Sequence, residues 1–363
     1  MKATSELSRI LGQQLPWHKS RLDFFAKALI GLFICRTINF QDIAVSMPDS
    51  AQISSRYKRI YRFFAQFKID FDLIARWLFK LFFNADHKVY IAIDRTNWFF
   101  GKAKINIFML SICHEGLSIP IYWQLLDKAG SSSGLEQIQL LSRFVKTFGS
   151  ECIQALLADR EFPNKPFIQW LQKNKIPFYL RIKSDACVYL GPKKYKNAAA
   201  LFSSLKPFSQ HIFPMKITLY GQLLFLVASK NEGNELMLVI TNANPNIAIA
   251  CYLRRWEIEN LFQALKGRGF RFEDTHVTDL DRINKIIVLL AIGFAWAHKT
   301  GEWRAELKPI PMKRFHKQLR PQNSFFRYGL DFIRDLFTHT RYKMKQIRSL
   351  FALLSPKTGD LLC

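Results

Sequence analysis

Three carboxylic acids sit in settings unlike that of an ordinary solvated acid. Asp94 follows the apolar run Val89-Tyr90-Ile91-Ala92-Ile93, and Asp159 follows Ile153 to Ala158. Each run reads as a buried strand, so each acid is expected at a carboxyl end, where open α/β sheets place their chemistry. Glu259 lies within a stretch otherwise lined with cations. Short aspartates on strand ends and a longer glutamate reaching in from a helix suit Mg²⁺, which prefers oxygen ligands and keeps several waters. Two such ions ~4 Å apart can activate an attacking oxygen and stabilise a leaving oxygen at one phosphate. The placement predicts Asp94 bridging two ions, with Asp159 and Glu259 each completing one. Singly, each acid reads as a cap or a surface charge; together they read as a site.

The element that must carry Glu259 is Tyr252 to Lys266, read as one helix. It contains no Gly or Pro, and Gly267 and Gly269 supply a stop. At about 100° per residue, Tyr252, Arg255, Glu259 and Lys266 fall within an arc of roughly 60°, along an edge of about 21 Å. Ile258, Leu261 and Leu265 face the other way and offer a core face. A phenol, a guanidinium and an ammonium around one acid suit an anionic polymer whose phosphates the cations hold. Asp127, Asp185, Asp274, His114 and His276 lack comparable settings. The chain has no Gly-x-Ser-x-Gly, no phosphate-cradling P-loop and no Gly-x-Gly-x-x-Gly, which removes the common alternatives.

Composition agrees. A formal charge of +25 and a sequence pI near 9.9 point first to nucleic acid and second to an anionic membrane surface. With 363 residues, 49% of them hydrophobic and 14% aromatic, the chain can bury a large core and is not a disordered one. The cysteines at 35, 113, 152, 187, 251 and 363 form no Cys-x2-Cys pair and read as thiols of a reduced compartment. The longest apolar run, Ile286 to Ala297, is shorter than the ~20 residues a bilayer demands and reads as a core helix. With no signal-like segment after Glu6, the expectation is a cytoplasmic protein without a membrane.

Along the chain, residues 1–85 read as helical, with Phe24, Phe25, Ala28, Leu29 and Leu32 at helical spacing and Leu73, Trp77 and Phe79 repeating the pattern. Ser54 and Ser55 resemble a helix cap ahead of Arg56, Lys58, Arg59 and Arg62, which alternate with Tyr57, Ile60, Tyr61, Phe63 and Phe64. A DNA-binding module holding phosphates on Arg56, Arg59 and Arg62 is expected there. From residue 86 the period shortens. Strands at Ile105–Cys113 and Leu117–Leu126, joined by His114-Glu115-Gly116, precede a helix from Leu135 to Phe148, the Ile153–Ala158 strand, a helix through Phe167 and Leu171, and a strand at Phe178–Ile182. That order describes a mixed sheet with flanking helices. Residues 184–243 read as a β-rich insertion with strands at Met215–Tyr220, Leu223–Ala228 and Leu236–Thr241. The expected parts are a helical domain (1–85), a core in two pieces (86–183 and 244–305) around the insertion (184–243), and a basic helical C-terminal region (306–363) whose tail from Lys313 to Arg348 offers a DNA or partner surface.

These residues carry a resemblance. Asp94-Arg95-Thr96, Asp159-Arg160-Glu161 and Tyr252-x2-Arg255-x3-Glu259-x6-Lys266 resemble the DDE transposases of bacterial insertion sequences with the Tyr-Arg-Glu-Lys signature, the insertion-sequence-four family. The similarity spans about residues 50–340, including Ser324-Phe325-Phe326-Arg327-Tyr328-Gly329-Leu330-Asp331. It implies an RNase H-like core interrupted by a β-rich insertion, Mg²⁺ or Mn²⁺ as cofactor, and cut-and-paste DNA transposition. By position, Asp94, Asp159 and Glu259 would be the catalytic triad. Tyr252, Arg255 and Lys266, with Arg160 beside the second acid, would contact DNA phosphates. The implied partners are the terminal inverted repeats, target DNA and a second copy of the chain in a synaptic complex, at a bacterial nucleoid. A stand-alone metal-dependent nuclease and a non-catalytic DNA-binding derivative are the alternatives. Relatives that form hairpins stack a flipped base on a tryptophan of the insertion. Residues 184–243 hold none, and Phe213, Tyr220 or Phe225 would take that place.

Overall fold

A computed structural model describes residues 2–84, 86–315, 318–339 and 344–356. Cys363 and part of the Lys313–Arg348 tail lie outside the described residues. The described residues fall into two compact units, one drawn from 1–85, 98–105 and 261–363 and the other from 86–97 and 106–260.

In chain order the elements are α1 (Lys2–Gln14), α2 (Lys19–Cys35), α3 (Phe40–Ser46), α4 (Ile53–Gln66), α5 (Phe71–Phe82), β1 (Val89–Phe100), β2 (Ala103–His114), β3 (Leu117–Leu125), α6 (Gly134–Phe148), β4 (Ile153–Ala158), α7 (Lys165–Lys173) and β5 (Phe178–Arg181). There follow β6 (Cys187–Gly191), β7 (Lys194–Asn197), β8 (Gln210–Ile212), β9 (Ile217–Leu219), β10 (Gln222–Lys230), β11 (Leu236–Thr241), α8 (Ala248–Leu253), α9 (Trp256–Leu265), α10 (Leu280–Leu307), β12 (Met312–Phe315), β13 (Gln318–Pro321), α11 (Phe325–Thr338) and α12 (Met344–Ala352). Among the described residues no single helix is long and apolar enough to cross a membrane.

The unit holding residues 106–260 is built on one mixed sheet of order β3-β2-β1-β4-β5-β11-β10-β9-β6-β7, with β8 beside β10. β4 runs parallel to β1 and to β5, while β3 is antiparallel to β2 and β11 antiparallel to β5. This is the expected RNase H-like α/β arrangement. The β2–β3 turn has Glu115 at φ 48 and Gly116 at φ 79, and the β9–β10 turn has Tyr220 at φ 53 and Gly221 at φ 74. Two consecutive positive φ values give a turn whose twist matches that of paired strands. The insertion is β-rich as expected, and through β11 it rejoins the sheet beside β5, with Val239 opposite Arg181 and Thr241 opposite Tyr179. α8 packs on β5 and β11. The end of β1 differs from the sequence reading. β1 runs on past Asp94 to Phe100, and only its pairing with β4 stops at Ile93.

The unit holding the N-terminal helices is organised by α10, which is buried almost all round from Ile283 to Gly301 and therefore acts as a core helix. A Cβ on Gly301 would collide with the backbone of Phe325, and one on Gly329 with that of Ala297, so α10 and α11 approach each other through two glycines. Trp296 packs edge-on against Phe33 at 5.2 Å, and its indole N–H donates to the Leu350 carbonyl at 3.0 Å. Trp77 of α5 donates likewise to Leu354 at 3.0 Å. The N-terminal helices and the C-terminal region therefore share a core. α4 begins at Ile53 with Gln52 at the N-cap and no side-chain cap bond, so Ser54 and Ser55 are inside the helix and do not cap it.

Candidate active site

The sheet register positions two of the acids. Ile93 pairs with Ala158 across parallel strands, so Asp94 and Asp159 are the next residues on neighbouring strands, which lie ~4.8 Å apart in a sheet. Each carboxylate is oriented by the amide that follows it. Arg95 N–H donates to Asp94 Oδ1 at 2.8 Å, and Arg160 N–H to Asp159 Oδ1 at 2.7 Å.

The stretch expected as one helix is two. α8 stops at Leu253 and α9 starts at Trp256. Between them the backbone bonds shorten to three-residue spacing: Arg255 N–H to Tyr252 at 2.9 Å, Glu257 to Arg254 at 2.9 Å and Ile258 to Arg255 at 3.0 Å. Such a tightened turn inside a helical path often marks a functional position. It sends consecutive arginines different ways. Arg254 bonds Glu257 at 3.2 Å and lies over the Tyr90 ring at 4.5 Å. Arg255 turns inward and its side chain is only 6% exposed. Asn260 Nδ2 donates to the Gly116 carbonyl at 3.0 Å, tying the first turns of α9 to the β2–β3 hairpin.

One guanidinium then gathers the acids. Arg255 Nη1 donates to Asp94 Oδ2 at 3.0 Å and Nη2 to Glu259 Oε1 at 2.6 Å. Its Nε donates to the Tyr252 hydroxyl at 3.2 Å, and that hydroxyl donates to Asp159 Oδ1 at 3.1 Å. The three acids named from the sequence are thus linked through two residues of the same signature.

Burial pushes the Asp94 carboxyl up to about 7, against the pull of the Arg255 charge, and the charges of Glu161 and Asp159 add to the rise. The Arg255 guanidinium is held above its ordinary value: burial opposes its charge, but Tyr252, Asp94, Glu259 and Asp159 outweigh that. Burial also raises the Tyr252 phenol.

Two supporting pairs escaped the sequence reading. Arg95 grips Glu161 with a two-pronged contact, Nε to Oε1 at 2.7 Å and Nη2 to Oε2 at 2.6 Å, so the residue after the first acid is clamped to the second after the other. Arg95 also donates to the Gly130 carbonyl. On β5, Arg181 stands 3.7 Å from Asp159 and 3.4 Å from Glu235. The Asp-Arg and Asp-Arg-Glu strings were the available signal for the first pair; nothing local marks the second. A cavity of about 430 Å³ adjoins, lined by Arg181, Ser229, Asn231, Tyr252, Arg255 and Trp256 among others. Trp256 is exposed, and the cavity lining does not include Phe213, Tyr220 or Phe225.

The remaining cations are placed as follows. Lys266 lies beyond the end of α9, pairs with Glu273 at 2.8 Å and stands over the Trp98 ring at 5.2 Å. Arg160 is exposed. On α4, Arg56 donates to the carbonyls of Ala51, Met47 and Val45 at 2.9, 3.0 and 3.3 Å, and Arg59 bonds Asp49 at 3.2 Å. Arg62, Lys58, Tyr57 and Tyr61 face outward around a cavity of about 490 Å³.

A mixed sheet that sets two aspartates side by side on parallel strands, joined through Arg255 and Tyr252 to a glutamate of a helix, is an arrangement of the RNase H-like class. Residues 87–294, more than half of the chain, match the family described as "Transposase DDE domain", and the chain belongs to that family of DNA transposition enzymes. No curated protein matches the chain. Among solved structures it is similar to the piggyBac transposase, seen by cryo-EM in a synaptic complex with hairpin DNA, at 10% identity and a TM-score of 0.46 over 99% of this chain and 83% of that one.

Proposed function

We propose that this protein is the transposase of a bacterial insertion sequence of the Tyr-Arg-Glu-Lys type, cutting and rejoining DNA at the ends of its element. The reading is carried by the convergence of Asp94, Asp159 and Glu259 on Arg255 and Tyr252. The donor set fits a hard divalent cation: it is all oxygen, two aspartates at adjacent strand ends and a glutamate of a helix held to them through one guanidinium. Asp94, Asp159 and Glu259 would hold Mg²⁺ or Mn²⁺, two ions in the full site. When bound, the ions activate the attacking oxygen and stabilise the leaving one.

The rest falls to the chain. Exposed Arg160 is suited to a phosphate beside the cut, and Lys266 is proposed as a DNA contact of its own unit. Arg255 would join them after leaving its carboxylates. Hydrolysis of one phosphodiester frees a 3′-OH. That hydroxyl then attacks the opposite strand, giving a hairpin, or target DNA, expelling a new 3′-oxygen. Trp256 at the cavity mouth offers a stacking face for an unpaired base. Terminal inverted repeats, target DNA and a second copy of the chain are the partners this chemistry needs.

The test is to incubate the protein with a linear element and a plasmid target, in Mg²⁺ or in EDTA. Joined products that require Mg²⁺ are expected. Cut ends without joining would leave a nuclease, and shifted but intact DNA a binding protein.

A further inference from the structure

Arg255 occupies the place that a metal would claim. Its guanidinium contacts Asp94 Oδ2 at 3.0 Å and Glu259 Oε1 at 2.6 Å, and reaches Asp159 through the Tyr252 hydroxyl at 3.2 and 3.1 Å. A side chain 6% exposed has given up its hydration and depends on these partners for charge balance. Reciprocally, carboxylates drawn toward one guanidinium lose the charge that offsets their mutual repulsion when it is removed. A lysine could not substitute, since a point charge lacks the planar fork that reaches two carboxylates and a phenol at once. The tightened turn at Arg255 holds the fork in place while Arg254 is diverted to Glu257.

We propose that Arg255 is an exchangeable internal cation. It holds the acids together in the metal-free protein, and a divalent ion must take Asp94 and Glu259 from it. The inference rests on the reading of Asp94, Asp159 and Glu259 as the metal-holding acids. Its consequence is coupling: metal arrival releases the guanidinium, which then has its donors available for a DNA phosphate.

The test is Mn²⁺ binding, followed through the electron paramagnetic resonance of the free ion, together with thermal unfolding with and without Mn²⁺. Losing two charge-assisted contacts as competitors, Arg255→Met should bind Mn²⁺ about tenfold more tightly or better. Without metal it should melt below the wild type, and Mn²⁺ should raise its Tm more. Arg255→Lys keeps the charge but not the fork, and should tighten binding by roughly threefold. Arg181→Met removes a charge 3.7 Å from Asp159 without touching the fork, so it measures plain electrostatics and should change affinity less than Arg255→Lys.

Equal Mn²⁺ affinity in wild type, Arg255→Met and Arg255→Lys would overturn the exchange, as would an Arg181→Met effect as large as that of Arg255→Met. Should Arg255→Met fold only when Mn²⁺ is present, the exchange is supported. A different failure is visible separately: if Glu259→Gln and Asp94→Asn leave Mn²⁺ binding unchanged, the acids are not the metal site and both readings fall.

Discussion

Basic residues sit among aromatic ones both at the α8–α9 turn and on α4, and the two stretches use their charges differently. At the α8–α9 turn, Arg255 is buried, its side-chain hydrogen bonds go to Asp94, Glu259 and Tyr252, and the charge is spent inside the protein. On α4, Arg56 and Arg59 also turn to protein partners, but Lys58 and Arg62 stay outward with Tyr57 and Tyr61. The difference teaches that spacing of cations along a helix does not say which of them meets solvent. What decides is whether an acceptor lies within reach: carboxylates for Arg255, loop carbonyls for Arg56, Asp49 for Arg59. We propose Lys58 and Arg62, which face outward, as the α4 residues that would contact DNA.

The largest expected effect separates the two places by function. Glu259→Gln should lower strand cleavage by more than about a hundredfold, the scale of losing a group that stabilises transition-state charge. DNA binding should survive or strengthen, because a repelling charge is gone. Cleavage assays beside gel shifts check this, and wild-type cutting would remove Glu259 from the site. Next, Arg56→Ala should cost about 1–3 kcal/mol in urea unfolding, since carbonyls near the end of α3 lose their donor. The salt dependence of DNA binding should not move. A changed slope with unchanged stability would reverse the assignment made for α4. Smallest, Lys58→Ala and Arg62→Ala should leave unfolding within about 0.5 kcal/mol of wild type and each reduce the salt slope by about one. Slopes identical to wild type would place DNA elsewhere.

Much of this was legible in the sequence where local pattern dominates. The Ile153–Ala158 and Leu236–Thr241 strands coincide with β4 and β11, because continuous apolar runs bounded by polar residues leave a strand little choice. Asp94 and Asp159 came out together because parallel strands end their pairing at one level of the sheet. What the sequence hid is decided by distant partners. Tyr252 to Lys266 has no local breaker, yet the pull of Asp94 and Glu259 on Arg255 accompanies a tightened turn that propensity does not encode. The Arg95–Glu161 clamp joins residues 66 apart in the chain, and Arg181 meets Asp159 only through strand order. The sharing of one core by residues 1–85 and 261–363 is likewise a matter of packing around α10.

β5 and β11 lie side by side and antiparallel. Everything between them therefore leaves and re-enters at one seam, as an overgrown hairpin does. Length gained or lost there leaves the alignment of β1 with β4 untouched, whereas one residue added inside β4 would turn the following acid to the opposite face. The architecture thus separates a part of the chain that can be remodelled from a part that tolerates no change of length. The β6–β7 turn at Pro192-Lys193 is where a foreign module could be spliced in with the acids still meeting Arg255.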